Sequence, residues 1–193
     1  MNQRPFIHGQ SLAELAAWFA ARKEPAFRAK QIWQWLYQRR VAGAAEMTNL
    51  PAALRTVLET EFEFKAVSPV ETADASGEDR GTRKLLLKLR DNACVETVLI
   101  PTSDHLTVCI SSQVGCAFAC SFCASGQSGL ERNLAAGEMV GQVLAAAAVA
   151  GVSPGNVVFM GMGEPLDNYD AVLAAIRILN DQDGLRIGAR RIT

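Results

Sequence analysis

The amino-acid sequence predicts an α/β fold in which parallel strands alternate with helices, preceded by a small helical domain and a β-hairpin. After residue 105, short apolar runs alternate with stretches of helical periodicity, which is the pattern of strands joined by right-handed crossovers. Before residue 65, apolar residues recur at helical spacing instead. Between these parts, two short runs with the pattern of β-strands, at residues 84–90 and 94–100, flank the turn-prone pair Asp91-Asn92. We therefore expect three units, at residues 1–70, 71–105 and 106–193.

Residues 10–64 are expected to form three helices. Ser11 with Glu14 three residues later fits a capping box at the start of the first helix, and Pro25 ends that helix. Pro51 suits the first position of the third helix. Apolar residues at helical spacing follow each of these starts, so the segment is predicted to be a small helical accessory domain.

Tryptophans and positive charge near the N-terminus bear on nucleic-acid binding. Trp33 and Trp35 have rings that can stack on bases, but an aromatic stripe at helical spacing is typical of a core, and we favour that interpretation. Residues 1–40 hold seven basic residues against two acidic ones, and a basic unit can meet phosphates. The alternative, a solvated helix face, is favoured on the charge pattern alone.

The composition is that of a soluble globular protein, since 49% of the residues are hydrophobic, 20% are charged and the formal net charge is −1. That net charge argues against a uniformly basic nucleic-acid binder. No uninterrupted apolar run is long enough to span a membrane, and the N-terminus lacks a signal-peptide core. We therefore expect a cytoplasmic protein without a membrane partner, whose cysteines bind metal or take part in catalysis.

The central unit is expected to hold a polar loop followed by a hairpin. Residues 71–82 are polar and contain glycine, which indicates a loop, and strands are predicted at residues 84–90 and 94–100. On the second strand, Glu96 shares a face with apolar residues. Because a buried unpaired carboxylate is costly, Glu96 is expected to face a cavity, to have a partner, or to lie on a solvent-facing edge.

The last unit carries the alternation of strands and helices. Strands are predicted at residues 106–112 and 156–160, helices at 138–150 and 170–180, and the beginning of a further strand at 191–193. In folds of this kind, ligands bind at the carboxyl ends of the strands. Two unusual loops, one rich in cysteine and one rich in glycine, follow the two predicted strands. We expect these loops to form one site.

The cysteine-rich loop places three of the five cysteines within eight residues, at Cys116, Cys120 and Cys123. Thiolates of cysteine hold iron–sulfur clusters, usually four of them. Three ligands leave one iron of a four-iron cluster open to a substrate or cofactor, as catalytic metal sites do. The alternatives fit less well: structural zinc prefers paired Cys-x2-Cys units with further ligands, and disulfides are typical of secreted proteins.

The glycine-rich loop reads Gly161-Met162-Gly163-Glu164-Pro165. Glycine has no side chain, so the backbone can approach a ligand closely, and Glu164 offers a negative acceptor for an ammonium group. Such a loop is by itself weak evidence, because a glycine-rich strand exit is often only a tight turn.

The cysteine spacing, with Phe122 before the last cysteine, resembles the signature of the radical S-adenosylmethionine (SAM) superfamily. The resemblance implies that Cys116, Cys120 and Cys123 hold a [4Fe–4S] cluster whose fourth iron is chelated by SAM. Residues 161–165 resemble the segment that binds the SAM amino group. The fold implied is the N-terminal part of a radical SAM partial (β/α) barrel.

Four segments narrow the resemblance to the RlmN/Cfr family, whose members methylate an adenine carbon in RNA. They are residues 25–32, 95–98, 109–116 and 160–165. Methylation of C2 in 23S rRNA and in tRNA, the RlmN activity, is favoured over the C8 methylation of Cfr. A radical SAM enzyme with another substrate and a non-catalytic metal- or RNA-binding module remain alternatives. The resemblance implies rRNA and tRNA as partners, an electron donor for the cluster and a monomeric state.

The resemblance also assigns individual roles. Gly163 and Glu164 would bind SAM, Glu96 would accept a proton, and Cys109 would be a catalytic cysteine that forms a transient disulfide. Cys94 matches no family role. Family members carry a second catalytic cysteine near their C-terminus, which this sequence does not contain. We therefore expect an N-terminal fragment that does not methylate RNA by itself.

Overall fold

A computed structural model describes residues 4–76, 81–127 and 129–193. The helices are α1 (Leu12–Ala21), α2 (Phe27–Tyr37), α3 (Ala52–Glu61), α4 (Ala136–Ala150) and α5 (Tyr169–Asn180). The strands are β1 (Val67–Asp74), β2 (Arg83–Leu89), β3 (Cys94–Pro101), β4 (Leu106–Cys109), β5 (Gln113–Gly115), β6 (Leu130–Asn133) and β7 (Pro154–Val158). The predicted α/β class is confirmed.

The three predicted N-terminal helices are confirmed as α1, α2 and α3. The capping box forms as expected, because the Ser11 hydroxyl accepts from Glu14 N at 3.2 Å and Ser11 N donates to the Glu14 carboxylate at 2.6 Å. Pro51 is the N-cap residue of α3, one position before the helical position expected of it. Its fixed φ still presets the first turn.

The tryptophans of α2 belong to the core, as favoured from the sequence. Trp33 is 1% exposed and Trp35 is 8% exposed. The Trp33 indole N–H donates to the Asp181 carboxylate at 3.0 Å, and that of Trp35 donates to the Asn49 side chain at 2.7 Å. Neither ring has a face available for stacking on a base.

Most of the basic side chains near the N-terminus are engaged within the chain. Ion pairs join Arg4 to Glu63, Arg22 to Glu61, Arg28 to Glu24 and Lys30 to Asp183. The Arg39 guanidinium lies over the Trp35 ring, 4.2 Å from its centroid. A phosphate would have to compete with these contacts, which supports the interpretation of a solvated, internally paired surface.

The main sheet has five strands in the order β1-β2-β3-β4-β7. Strands β1 to β4 pair antiparallel, and β4 pairs with β7 in parallel, with Cys109 opposite Val158. In place of the further strand expected at residues 191–193, Arg191 ends a short 3₁₀ turn and Ile192 forms an isolated parallel bridge with Val157. The predicted parallel crossover is therefore present, while closure of the sheet into a partial barrel stays a prediction.

The loop predicted at residues 71–82 is wrong in its first part. Residues 71–74 belong to β1, where Thr72 pairs with Leu85. This edge strand is exposed on both faces for most of its length, so it carries no apolar alternation to reveal it. Residues 77–80 lie outside the described part of the chain.

The predicted hairpin is confirmed as β2 and β3, but it does not stand apart from the last unit. Val98 of β3 lies opposite Cys109 of β4, so one sheet runs across the expected boundary at residues 105–106. The division into three units stays a prediction.

The two faces of this sheet differ in their environment. One face packs against α4, which contacts β1, β2, β3 and β7, and its residues are buried. The other, which we call the open face, carries partly exposed side chains on adjacent strands. Its members are Leu86, Cys94, Glu96, Val98, Cys109 and Val158.

The end of β4 and a second, smaller sheet both differ from the sequence prediction. Strand β4 ends at Cys109 and not at residue 112, and β5 pairs with β6 in a small antiparallel sheet that the sequence did not predict. This small sheet brackets the cysteine-rich loop. None of the helices within the described residues has the length and apolarity that crossing a membrane requires.

Candidate functional site

The two loops expected to form one site do meet. The backbone N–H groups of Ser112 and Gln113 donate to the Met162 carbonyl at 2.8 and 3.2 Å. Glu164 N donates to the Gln113 side-chain oxygen at 2.8 Å. Gly161 N donates to the carbonyl of Ile110 at 3.1 Å. The glycine-rich loop is therefore bonded directly to the segment that leads into the cysteines.

A cavity of about 380 Å³ lies between the open face and these loops. Its wall includes Cys94 and Glu96 from β3, Val114 from β5, Ser125 from beyond the cysteines, and Met162 from the glycine-rich loop. A volume of this order suits a small organic ligand. Residues from both predicted loops and from the predicted hairpin thus border one space.

Glu96 borders the cavity and also has a partner, whereas the expectation of an edge strand is wrong because β3 lies between β2 and β4. Its carboxylate lies 2.9 Å from the Lys84 ammonium on the neighbouring strand, with the two side chains 45% and 52% exposed. The carboxylate raises the pKa of Lys84 by hydrogen bonding and by charge. Glu96 is therefore a paired, solvent-accessible carboxylate at the cavity wall.

Cys109 is the last residue of β4, on the open face. It is 9% exposed, and burial raises the pKa of its thiol, partly offset by a hydrogen bond with the Met160 backbone. The thiol is consequently the dominant form at neutral pH. A nucleophilic role would require a base or a partner that removes the proton during reaction.

The three cysteines of the predicted cluster site lie on one loop but are not gathered around one point. Cys116 is buried, Cys120 is exposed and Cys123 is partly buried, and Cys123 N donates to the carbonyl of Cys120 at 3.0 Å. Over the residues that the structure describes, no group of three or more His, Cys, Asp or Glu side chains is arranged to hold a metal ion. All five cysteines are free thiols. The donor set fits an iron–sulfur cluster in its chemistry, while cluster binding would have to draw the loop together.

Glu164 and Gly163 have well-defined local roles. The Glu164 carboxylate accepts from Leu166 N at 3.0 Å, which caps a short 3₁₀ turn over Pro165–Asn168. Gly163 has φ +96°, and a Cβ built there would lie 2.5 Å from the Gln113 Cβ. Only glycine fits this approach of the two loops.

Gln142 and Ser111 are buried polar residues to which the sequence analysis gave no role in the site. Gln142 of α4 is fully buried; its oxygen accepts from Thr97 Oγ1 at 2.9 Å and from Ser111 N at 2.8 Å, and its amide donates to the Ser111 carbonyl at 2.9 Å. The Ser111 hydroxyl in turn donates to the Glu96 carbonyl at 2.7 Å and accepts from Met162 N at 3.0 Å. One feature of the sequence could have indicated this buried network: Gln142 lies on an otherwise apolar face of its helix.

Two protein families match separate parts of the chain. Residues 7–64 match the ribosomal RNA large subunit methyltransferase N-terminal domain. Residues 110–192 match the radical SAM superfamily. The two matches fall within the first and the last of the expected units.

Relatives match along almost the whole chain. A probable dual-specificity RNA methyltransferase RlmN from Akkermansia muciniphila is 44% identical, covering 100% of this chain and 55% of the relative. One from Synechococcus elongatus is 48% identical, with 96% and 50% covered. The crystal structure of a radical SAM methyltransferase from Sphaerobacter thermophilus superposes with a TM-score of 0.89 at 44% identity, covering 97% of this chain and 55% of that one. The chain spans about half the length of the curated relatives it matches.

Proposed function

The chain belongs to the RlmN family of the radical SAM superfamily, and we propose that it supplies the cluster- and SAM-binding part of an RNA methyltransferase. The observation that carries this proposal is the direct bonding of the glycine-rich loop to the segment that leads into the cysteines, through Met162 and Glu164. That contact joins the glycine-rich loop, which follows β7, to the segment that leads from β4 into the three cysteines.

The cluster is proposed to bind through Cys116, Cys120 and Cys123. All three are free thiols on one loop. That loop is bracketed by β5 and β6, which fix its two ends. Three ligands would leave one iron for the amino and carboxylate groups of SAM, in keeping with an open catalytic metal site.

SAM is proposed to bind along the glycine-rich loop through Gly163 and Glu164. The absence of a side chain at Gly163 lets this loop pack directly on Gln113, and the Glu164 carboxylate is partly exposed beside it. An ammonium group paired with a carboxylate forms a charge-assisted hydrogen bond, which is stronger than a neutral one.

The reaction proposed is methylation of an adenine carbon. C2 of adenine has no useful nucleophilicity, so transfer of a methyl cation does not suit it; cluster and SAM together supply the one-electron chemistry that removes this limit. Glu96 is proposed to accept the proton that the carbon must lose; in support, its carboxylate borders the cavity beside Lys84. Cys109 would release the product by attacking the sulfur of a second cysteine that holds the transferred carbon. The S–S bond would form as the bond between that sulfur and the carbon breaks, and the carbon would take up a proton to become the methyl group. The resemblance places this second cysteine in the C-terminal part of family members.

The substrate proposed is RNA, both ribosomal and transfer RNA. The relatives are named dual-specificity RNA methyltransferases, and residues 7–64 match an accessory domain of a ribosomal RNA methyltransferase. The three-unit division of the chain, the cytoplasmic location, the monomeric state and the external electron donor are part of the same proposal. Because the two tryptophans of α2 are buried, a base-stacking binding module without catalysis is not favoured.

The decisive experiment is anaerobic reconstitution with iron and sulfide, followed by iron, sulfide and SAM-binding assays. We expect about four iron atoms per chain. Each single Cys→Ser change at Cys116, Cys120 or Cys123 should remove most of the iron. Cys94→Ser is the matched control, since this free cysteine lies on β3 outside the loop, and it should retain iron. Full iron in the three loop variants, or a protein that binds no SAM, would overturn the proposal.

Regiochemistry needs a separate measurement. Labelled SAM, RNA and a reductant are incubated with the reconstituted protein, alone and together with the C-terminal part of a relative. The nucleosides are then separated by liquid chromatography beside authentic 2-methyladenosine and 8-methyladenosine, and their mass is confirmed by mass spectrometry. The RlmN assignment predicts 2-methyladenosine, whereas 8-methyladenosine would indicate the Cfr reaction.

A further inference from the structure

Gln113 is a fully buried polar residue three positions before the first cysteine of the cysteine-rich loop. Its side-chain oxygen accepts from Glu164 N at 2.8 Å. Its amide group donates to Asn133 Oδ1 at 2.8 Å and to Asp167 Oδ2 at 2.9 Å. Both amide hydrogens and the oxygen are therefore used, which is the arrangement expected of a buried glutamine that holds a defined position.

These three bonds connect three segments that are far apart in sequence. Asn133 lies on β6, the strand that returns from the cysteine-rich loop. Asp167 belongs to the 3₁₀ turn capped by Glu164. Gln113 itself lies on β5, which leads into the cysteines. One side chain thus joins both ends of the cysteine-rich loop to the glycine-rich loop.

The backbone of Gln113 takes part in the same junction. Its N–H donates to the Met162 carbonyl at 3.2 Å. A Cβ at Gly163 would lie 2.5 Å from the Gln113 Cβ and 2.7 Å from its backbone nitrogen. The glycine-rich loop is therefore both bonded to Gln113 and packed directly on it, so a shift of Gln113 must move Glu164.

We propose that Gln113 is a positioning residue that sets the glycine-rich loop relative to the cysteine-rich loop, and so sets the affinity for SAM. The inference rests on the proposed function. Gln113 does not touch the cofactors in this proposal; it acts through the backbone of Glu164. Its partners Asn133 and Asp167 are exposed, so water can replace the bonds lost to them, whereas Glu164 N loses its acceptor.

The first test compares SAM affinity in the reconstituted protein and in Gln113→Leu, which keeps the approximate size of the side chain and removes all three bonds. Iron content should stay unchanged. The dissociation constant for SAM should rise about tenfold, the order expected for one lost buried hydrogen bond. The SAM-induced change in the electron paramagnetic resonance spectrum of the reduced cluster should need correspondingly more SAM. Gln38→Leu removes one exposed amide bond, to the Asp183 carbonyl, and should leave SAM affinity unchanged.

The second test separates positioning from general destabilisation. Gln113→Glu keeps an oxygen for Glu164 N but places a carboxylate against Asp167, so SAM affinity should fall. Adding Asp167→Asn restores a donor opposite that carboxylate, and affinity should return toward the wild-type value. This rescue decides the matter even where Gln113→Leu fails to fold.

The outcomes are distinguishable. A wild-type protein that binds SAM while Gln113→Leu binds it equally well would overturn the inference and leave the proposed function standing. Failure of Asp167→Asn to rescue Gln113→Glu would also overturn it. A wild-type protein with a cluster that binds no SAM would overturn the proposed function itself.

Discussion

Replacement of Gly163 by alanine tests the packing of the glycine-rich loop against its neighbour. Gly163 has φ +96°, and an added Cβ would lie 2.7 Å from the Gln113 backbone nitrogen. The positive φ alone costs an L-residue about 1–2 kcal/mol, and overpacking against a backbone atom adds about 1–3 kcal/mol. We therefore expect the free energy of unfolding of Gly163→Ala to fall by about 2–5 kcal/mol, with loss of SAM binding and retention of the cluster.

The matched control is Gly151→Ala. Gly151 ends α4 with φ +69°, and an added Cβ there has nothing within 4 Å. This variant bears only the conformational cost of about 1–2 kcal/mol and should bind SAM normally. The assays are urea unfolding of the cluster-free protein and SAM binding by the reconstituted protein. If Gly163→Ala matches Gly151→Ala in both assays, the close approach of the two loops does not matter for the site.

Three further predictions concern buried polar groups. Gln142→Leu leaves both backbone polar groups of Ser111 unpaired in the core, and should lower the free energy of unfolding by about 2–4 kcal/mol in urea titrations. Burial lowers the pKa of His8 from 6.5 to about 4, and a hydrogen bond with a backbone group offsets part of this effect. As the pH falls, His8 takes up a proton in the unfolded chain before it does so in the folded chain. The free energy of unfolding should therefore fall between pH 6.5 and pH 4, by up to about 3 kcal/mol. Alkylation by iodoacetamide should be much slower at buried Cys109, whose pKa is raised by burial, than at exposed Cys120.

Each of these three predictions has a control experiment and an outcome that would contradict it. Gln142→Glu keeps an oxygen that can accept from Ser111 N and removes the amide donor. A protonated carboxyl can donate to the Ser111 carbonyl, so this variant should lose less unfolding free energy in acid than at neutral pH. An equal loss of unfolding free energy at both pH values would contradict the hydrogen-bond account. His8→Gln should flatten the pH dependence between pH 6.5 and 4, and an unchanged slope would assign that dependence to other groups. Denatured protein should alkylate at Cys109 and Cys120 at similar rates, and a persisting difference would exclude burial as the cause.

The parallel part of the fold could be predicted from the sequence because its signals are local. Strand β7 ends in two valines that Phe159 continues, and α4 and α5 carry apolar faces at helical spacing. The sheet covers the face of α4, and α5 packs against α4. Strand β1 could not be predicted in the same way. It is an edge strand with side chains exposed on both faces, so its existence depends on pairing with β2 and not on its own pattern.

The site was accessible from the sequence only in part. Cys116, Cys120 and Cys123 stand close together along the chain, so spacing alone marks them as candidate cluster ligands. The bonds of Gln113 join residues 20, 51 and 54 positions apart, and no local pattern encodes such partners. Gln113 appeared in the family motif without a role, and the structure supplies its contacts.

The open face carries two of the candidate catalytic side chains, and the buried layer beneath it holds their backbone in place. Glu96 borders the open cavity, and Cys109 lies on the same face, where its thiol is largely buried. The backbone around them is fixed from the buried side. Ser111 bonds the Glu96 carbonyl to Met162 N, and Gln142 holds Ser111 from α4. Because buried hydrogen bonds hold backbone positions closely, this layer fixes the backbone of Glu96 and of the glycine-rich loop while the Glu96 carboxylate stays open to the cavity.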